Sequence, residues 1–264
     1  MGQEVELRRG LKGVFLDSTE ASNVIGETGQ LIYRGYNIHD LAENSTFEET
    51  SFLMLHGKLP TKSELGEFDQ TLREARQLPA PIIDIITSIK DAHPMDVLRT
   101  AISALAAYES DVTDVTAEAT LRKGIRLTAQ TPSIVAAHHR IRSGLPVVAP
   151  DPSLNHAGNF LKMLFGEAPD EDAATLLDKD FLVHLDHGSN ASSFAARVTA
   201  STLADVHCAV VSGLSTLKGP LHGGAAEGVM KMALEIGEED NVASYLQAKH
   251  DRRERVMGFG HPVY

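Results

Sequence analysis

Apolar positions in this chain recur mostly at three- and four-residue intervals, and the elements they predict are helices. Leu65, Phe68, Leu72 and Ala75 fall on one stripe behind Thr61-Lys62-Ser63-Glu64. That tetrapeptide reads as a capping box, in which hydroxyl and carboxylate each satisfy an orphan amide. Ser45-Thr46-Phe47-Glu48 reads the same way, opening a helix that runs to His56 and stops at Gly57, which can turn left-handed. Pro94 suits the first position of another helix, where its missing amide costs nothing, with Val97, Leu98, Ala101, Ile102 and Leu105 as the buried face. Further helices are predicted over about 115–129, 133–142, 153–165, 170–187, 192–217, 224–236 and 240–254, with breaks at Pro132, Gly144, Gly166 and Gly188. The 192–217 stretch is rich in Ala, Ser, Thr and Val and nearly uncharged. It predicts close packing on several sides, in a core or a subunit interface.

One stretch breaks the helical period. Within residues 13–36, Val14 and Leu16 alternate with their neighbours, and Gly26-Glu27-Thr28-Gly29 makes a turn before Leu31-Ile32-Tyr33. This predicts a short hairpin. The fold class expected is therefore all-α, multi-helix, with a short β-hairpin near the start. There is no internal repeat. Lys218-Gly219-Pro220 is the best internal boundary, a flexible joint between helical blocks at 1–217 and 218–264.

Composition adds limits. The 264 residues suffice for one large domain, or one domain and part of another, and the net charge of -12 argues against a nucleic-acid partner. An anionic substrate would need a local basic site. The single cysteine, Cys208, precludes an intrachain disulfide, so a cytoplasmic location is the default. It lies in the apolar run Val206–Val211 and reads as a packed core residue. The start, Met1 to Glu6, has no apolar signal core, and Glu6 stands where a myristoylation pattern wants Ser or Thr. No apolar stretch has the length to span a membrane.

Three histidine stretches carry candidate chemistry. In His184-Leu185-Asp186-His187-Gly188-Ser189-Asn190-Ala191-Ser192, polar groups converge where one helix ends and the next begins. His184 and His187 at i and i+3 could share a helix face and ligate a metal, but nothing completes a zinc signature, and a helix-capping role competes for His184. In Lys218-Gly219-Pro220-Leu221-His222-Gly223-Gly224, His222 lies beside a helix start, whose positive end opposes protonation of the ring. A neutral histidine there could donate a hydrogen bond to an enol or enolate oxygen. The glycines could admit a ligand to the backbone or simply form a tight interhelix turn; spacing alone slightly favours the turn. In Val256-Met257-Gly258-Phe259-Gly260-His261-Pro262-Val263-Tyr264, two glycines expose backbone ahead of His261, without the third glycine or the strand of a dinucleotide loop. The remaining histidines (His39, His56, His93, His138, His139, His156, His207 and His250) read as surface or capping residues.

Together these pieces resemble the citrate synthase family. Arg9-Gly10-Leu11-Lys12-Gly13-Val14 and Gly29-Gln30-Leu31-Ile32-Tyr33-Arg34-Gly35-Tyr36-Asn37-Ile38 are similar to the family's opening. His93-Pro94-Met95 through Arg99-Thr100-Ala101 is a further landmark, and the three histidine stretches follow in family order. The resemblance implies a large helical domain that forms a homodimer and the start of a small domain. It implies condensation of acetyl-CoA with oxaloacetate to citrate and CoA through citryl-CoA, with no metal or redox cofactor. His222 resembles the histidine that bonds the thioester carbonyl of acetyl-CoA, and His261 the one that polarises the keto oxygen of oxaloacetate. His187 and Asn190 resemble oxaloacetate-site residues. Val256, Met257, Gly258, Phe259 and Gly260, with Leu221, resemble the segment that recognises CoA. Ala226 and Pro262 depart from common family residues.

The family's catalytic aspartate and its carboxylate-binding arginines lie downstream of the position of His261. None of Asp240, Asp251 or the earlier aspartates matches the base, and Arg252, Arg253 and Arg255 precede His261, where the family contacts CoA. The 264 residues alone are therefore expected to be inactive. A 2-methylcitrate synthase using propionyl-CoA shares every motif, and a non-catalytic helical scaffold or regulatory subunit is the alternative from another class.

Overall fold

The predicted turn at Gly26-Glu27-Thr28-Gly29 joins two strands. In the computed structural model, which describes residues 18–260, β1 (Ser22–Ile25) pairs antiparallel with β2 (Gln30–Tyr33), with Ser22 opposite Tyr33 and Ile25 opposite Gln30. A third short strand, β3 (Tyr36–Asn37), extends the sheet beyond the expected hairpin. The β2–β3 turn places Arg34 (φ 47°) and Gly35 (φ 92°) in the left-handed region. The strain at a non-glycine residue there is offset by the Arg34 guanidinium, which donates to the Met54 carbonyl at 3.0 and 3.3 Å. Val14 and Leu16, assigned to the hairpin, lie outside the described residues, as do His261 and Pro262.

Among the described residues twelve α-helices follow: α1 (Ile38–Asn44), α2 (Phe47–His56), α3 (Lys62–Glu74), α4 (Ala80–Ser88), α5 (Pro94–Leu105), α6 (Ala117–Arg142), α7 (His156–Phe165), α8 (Glu171–Val183), α9 (Ala191–Ala200), α10 (Val206–Leu217), α11 (Gly224–Ile236) and α12 (Val242–Asp251). The all-α class holds. Thr61 and Glu64 form the reciprocal capping box on α3, Gly57 ends α2 at φ 77°, and Pro94 opens α5.

Several boundaries differ from the pattern. The cap of α2 is Thr46, one residue later than expected, its hydroxyl accepting from the Glu49 amide. Ser45 instead donates to the Glu49 carboxylate at 2.7 Å, and Glu48 turns inward to accept from the His156 amide at 2.8 Å. Pro132 does not break the chain into two helices; it sits buried inside the continuous α6. Proline removes one backbone hydrogen bond, and burial of Ile134, Ala136 and Ala137 on the same helix outweighs that loss. Conversely, 192–217 is two helices. The chain turns between α9 and α10, with Leu203 at φ 62° and Asp205 capping α10. The two run antiparallel, so close that a methyl group on Gly213 would touch the Ser192 carbonyl at 3.4 Å. Helix α8 stops at Val183, leaving 184–190 as a loop, so His184 and His187 share no helix face.

The main core joins α4, α5 and α6 through Ile82, Ile86, Val97, Ile102 and Leu127, with Val210 and Leu214 of α10 packed against it. A second cluster sets Tyr33 of the sheet against Leu41, Leu53 and Leu182. Cys208 is exposed, not core: on α10 its neighbours His207 and Ala209 are buried while it faces solvent. Three histidines read as surface or capping residues are also buried. His138 bonds the Lys90 carbonyl at 2.9 Å, His156 stacks on Phe47 at 4.6 Å, and His207 is 1% exposed. Among the described residues no helix is long and apolar enough to cross a membrane.

Candidate active site

The 184–190 loop is fixed by the sheet. Tyr33, fully buried, accepts from the Asp186 amide at 3.0 Å through its hydroxyl, which also lies 3.0 Å from the Val183 carbonyl and 2.9 Å from that of Asp186. Ser22 on β1 donates to the Asp186 carboxylate and accepts from the Gly188 amide at 3.1 Å. Gly188 (φ 63°) lets the loop reverse, and His187 lies between the two anchored residues. Asn190 then caps α9, accepting from the Ser192 and Ser193 amides at 2.9 and 3.1 Å. The Ser193 hydroxyl returns to the Gly188 carbonyl at 3.1 Å.

The second stretch meets the first at one bond. His222 Nε2 lies 2.8 Å from Ser192 Oγ in the first turn of α9. The backbone around His222 folds tightly: the His222 and Gly224 amides both donate to the Gly219 carbonyl, at 3.0 and 3.1 Å. A methyl group on Gly223 would lie 2.4 Å from Leu217 Cδ1, and one on Gly224 would lie 2.8 Å from the Lys218 carbonyl oxygen. These glycines therefore serve the approach of the chain to itself, which is the tight-turn alternative. His222 sits two residues before the start of α11, as its spacing predicts.

The third stretch closes a cleft beside that turn. Pro220, Leu221, Ala225, Arg255, Val256, Met257, Gly258, Phe259 and Gly260 line a cavity of about 780 Å³. All six residues assigned to CoA recognition, Leu221 and Val256 to Gly260, thus face one space. The loop is seated on α11: a methyl group on Gly228 would meet Met257 Cε at 3.0 Å, and one on Gly258 would meet Val229 Cγ2 at 3.0 Å. Leu221 (84% exposed) and Phe259 (76% exposed) present apolar surface at its rim. Arg255 supplies a cation that an anionic ligand needs on an acidic protein.

Two contributors escape sequence reasoning. Ser192 is the partner of His222, and nothing in a helix-start serine signals that role. Ala225 carries no chemical signal, whereas Arg255, one of three arginines the resemblance set beside CoA, is the one that lines the cleft. His184, by contrast, does what a capping histidine does: its Nδ1 lies 2.7 Å from the Asp180 carbonyl. Among the described residues, no three His, Cys, Asp or Glu side chains gather closely enough to hold a metal ion.

Comparison with known proteins gives this arrangement a family. The model named "Citrate synthase, C-terminal domain" matches residues 10–264. The chain belongs to the citrate synthase family. It is 46% identical over 265 residues to a citrate synthase of Haloferax volcanii, covering 98% of this chain and 70% of that one. It is 44% identical over 260 residues to a 2-methylcitrate synthase of Mycobacterium tuberculosis, covering 98% of this chain and 66% of the relative. A citrate synthase structure from Thermoplasma acidophilum, described as a ternary complex with carboxymethyl coenzyme A and oxaloacetate, superposes with a TM-score of 0.93 at 29% identity. That match covers 98% of this chain and 68% of the other. The chain thus spans about two thirds of the length of these citrate synthase relatives.

Proposed function

We propose that this chain carries the acyl-CoA-binding half of a site that condenses acetyl-CoA with oxaloacetate to give citrate and CoA. The observation that supports this most is the 780 Å³ cleft, in which Leu221 and the 256–260 loop converge one residue from His222. The cleft would hold CoA, with Arg255 meeting its phosphates and Leu221 and Phe259 covering apolar parts. A thioester methyl proton is very weakly acidic, so its removal needs a donor on the carbonyl oxygen and a base at the carbon. His222 is that donor. If Ser192 donates its hydroxyl proton to Nε2, the ring is neutral with its proton on Nδ1, and Nδ1–H is left for the thioester oxygen. His187 and Asn190, on the loop anchored by Ser22 and Tyr33, bind oxaloacetate, and His261 polarises its keto oxygen. No metal or redox cofactor takes part.

The remaining proposals follow the family. The protein works in the cytoplasm as a homodimer formed by the 1–217 block. No aspartate in these 264 residues matches the family's base, so by themselves they bind without turnover. The test is calorimetry of coenzyme A with the 264-residue chain, alongside an assay of citrate formation from acetyl-CoA and oxaloacetate. Micromolar to millimolar binding that Ala225→Trp abolishes, without turnover, is the expected result. Normal turnover would overturn the missing-base reading, and absence of binding would overturn the cleft assignment.

A second reading has its own support, since relatives near 45% identity carry both names, citrate synthase and 2-methylcitrate synthase. One methylene in an apolar pocket discriminates by only about 1–3 kcal/mol. Comparing binding of acetyl-CoA and propionyl-CoA to the cleft separates the two.

A further inference from the structure

His222 sits two residues before helix α11, and among the described residues that helix packs extensively against no other helix or strand. Its position relative to the main core must then be set by individual side chains. Two of these come from one place, the first turn of α5. His93 caps α5, its Nδ1 accepting from the Met95 amide at 3.2 Å. The ring proton of neutral His93 is therefore on Nε2, which lies 3.2 Å from Glu227 Oε2 in the first turn of α11. Three residues after His93, Asp96 receives Lys218 Nζ at 2.6 and 2.7 Å. Lys218 immediately precedes the Gly219–Gly223 connection, and Glu227 follows it. The turn of α5 thus grips both ends of the segment in which His222 sits, while Ser192 holds the ring itself.

We propose that His93 and Asp96 are positioning residues for His222, forming a two-point clamp that fixes the 218–227 segment against the main core. The proposal rests on the reading of His222 as the carbonyl donor for its importance, and on geometry for its existence. Both carboxylates are in keeping with it. Asp96 is held below its ordinary range first by Lys218, and Glu227 first by Lys231 on its own helix and then by His93. Arg99, which also bonds Asp96 at 2.9 Å, lies on α5 and does not bridge to the segment. The four clamp side chains are each 30–46% exposed, so the pairs contribute little to global stability and much to local alignment.

The test uses histidine-labelled nuclear magnetic resonance on the 264-residue chain. His93→Asn keeps a capping side chain on α5 but cannot reach Glu227, and Asp96→Asn removes the charge that holds Lys218. Each is expected to shift or broaden the His222 ring signals, and the double variant to do so most, with the thermal midpoint nearly unchanged. Coenzyme A affinity should fall about three- to tenfold, as the aligned state becomes a minority. Lys231→Ala, which removes a partner of Glu227 within α11, should leave the His222 signals in place. In the unmutated chain, 1 M KCl should reproduce the Asp96→Asn shift by screening, which keeps the test decisive if a variant fails to fold. His222 signals that stay at their original positions in folded variants and in high salt would overturn the clamp. Failure of the unmutated chain to bind coenzyme A would overturn the cleft reading instead, and the resonance data would still decide the clamp.

Discussion

Ser192 and His222 are thirty residues apart in sequence and 2.8 Å apart in space, oxygen to ring nitrogen. Through that contact the loop anchored by the sheet and the turn that opens α11 become one structure. A hydrogen bond to one ring nitrogen decides which tautomer the histidine adopts. Ser192→Ala should therefore leave His222 as a mixture of tautomers, visible as averaged ring nitrogen shifts. The stability cost should be about 0.5–1.5 kcal/mol, the ordinary worth of one such bond. An unchanged His222 spectrum in the alanine variant would show that the serine does not fix the ring.

Gly224, the first residue of α11, makes an opposite pair with Gly66 of α3. A methyl group on Gly224 would lie 2.8 Å from the Lys218 carbonyl and 2.9 Å from that of Gly219, and backbone cannot step aside cheaply. Gly224→Ala should destabilise the fold by about 1–3 kcal/mol. Around Gly66 nothing lies within 4 Å of an added methyl, and the residue is helical. Gly66→Ala should stabilise by about 0.5–1 kcal/mol by restricting the unfolded chain. Urea unfolding of the two variants checks both signs.

What the sequence reveals of this fold is mostly local. The Thr61–Glu64 box, the stop at Gly57 and the start at Pro94 depend on residues within four positions, and those signals hold. The cap at Ser45 slips by one because Thr46 can do the same work, and the inward turn of Glu48 depends on His156, which is 108 residues away. Pro132 misleads because packing outweighs propensity inside α6. The division of 192–217 hides behind Leu203, whose left-handed backbone no leucine advertises. Cys208 misleads because an apolar run on a helix exposes some of its members. At the candidate site the histidine stretches are legible as motifs, but Ser192, Ala225 and the anchoring of Asp186 by Ser22 and Tyr33 emerge only from contacts between distant segments.

His156 gives the fold an acid-sensitive point. Its ring is buried against Phe47 with Nδ1 unpartnered, and burial first, then the nearby Arg76 charge, holds its pKa at about 3. An unfolded histidine takes up a proton near pH 6.5, whereas this one refuses it until about pH 3. The unfolded state therefore binds more protons in that window, and His156 lowers stability as pH falls through it, by on the order of 5 kcal/mol when complete. Glu48 and Asp178, both raised by burial, act in the other direction, since they take up protons more readily when folded. His156→Phe should flatten the acid limb of a stability-versus-pH curve between about pH 6 and 3. A curve of unchanged slope in that variant would rule His156 out as the source.

Cys208 offers a last check on the electrostatics at the start of α10. It is the third residue of the helix, a position where the backbone dipole favours a thiolate. Its thiol nevertheless donates to Asp205 Oδ2 at 3.2 Å, and its pKa is raised, first because ionisation would break that bond, then by partial burial and by the negative charge of Asp205. Although exposed, the thiol should thus react slowly with a disulfide reagent at pH 8. Asp205→Asn keeps a capping oxygen for α10 while removing the charge, so the helix should survive. With the carboxylate gone, the dipole acts alone, the thiolate fraction rises, and the reaction should speed up several-fold. A slower or unchanged rate in folded Asp205→Asn protein would show that access, not charge, governs this cysteine.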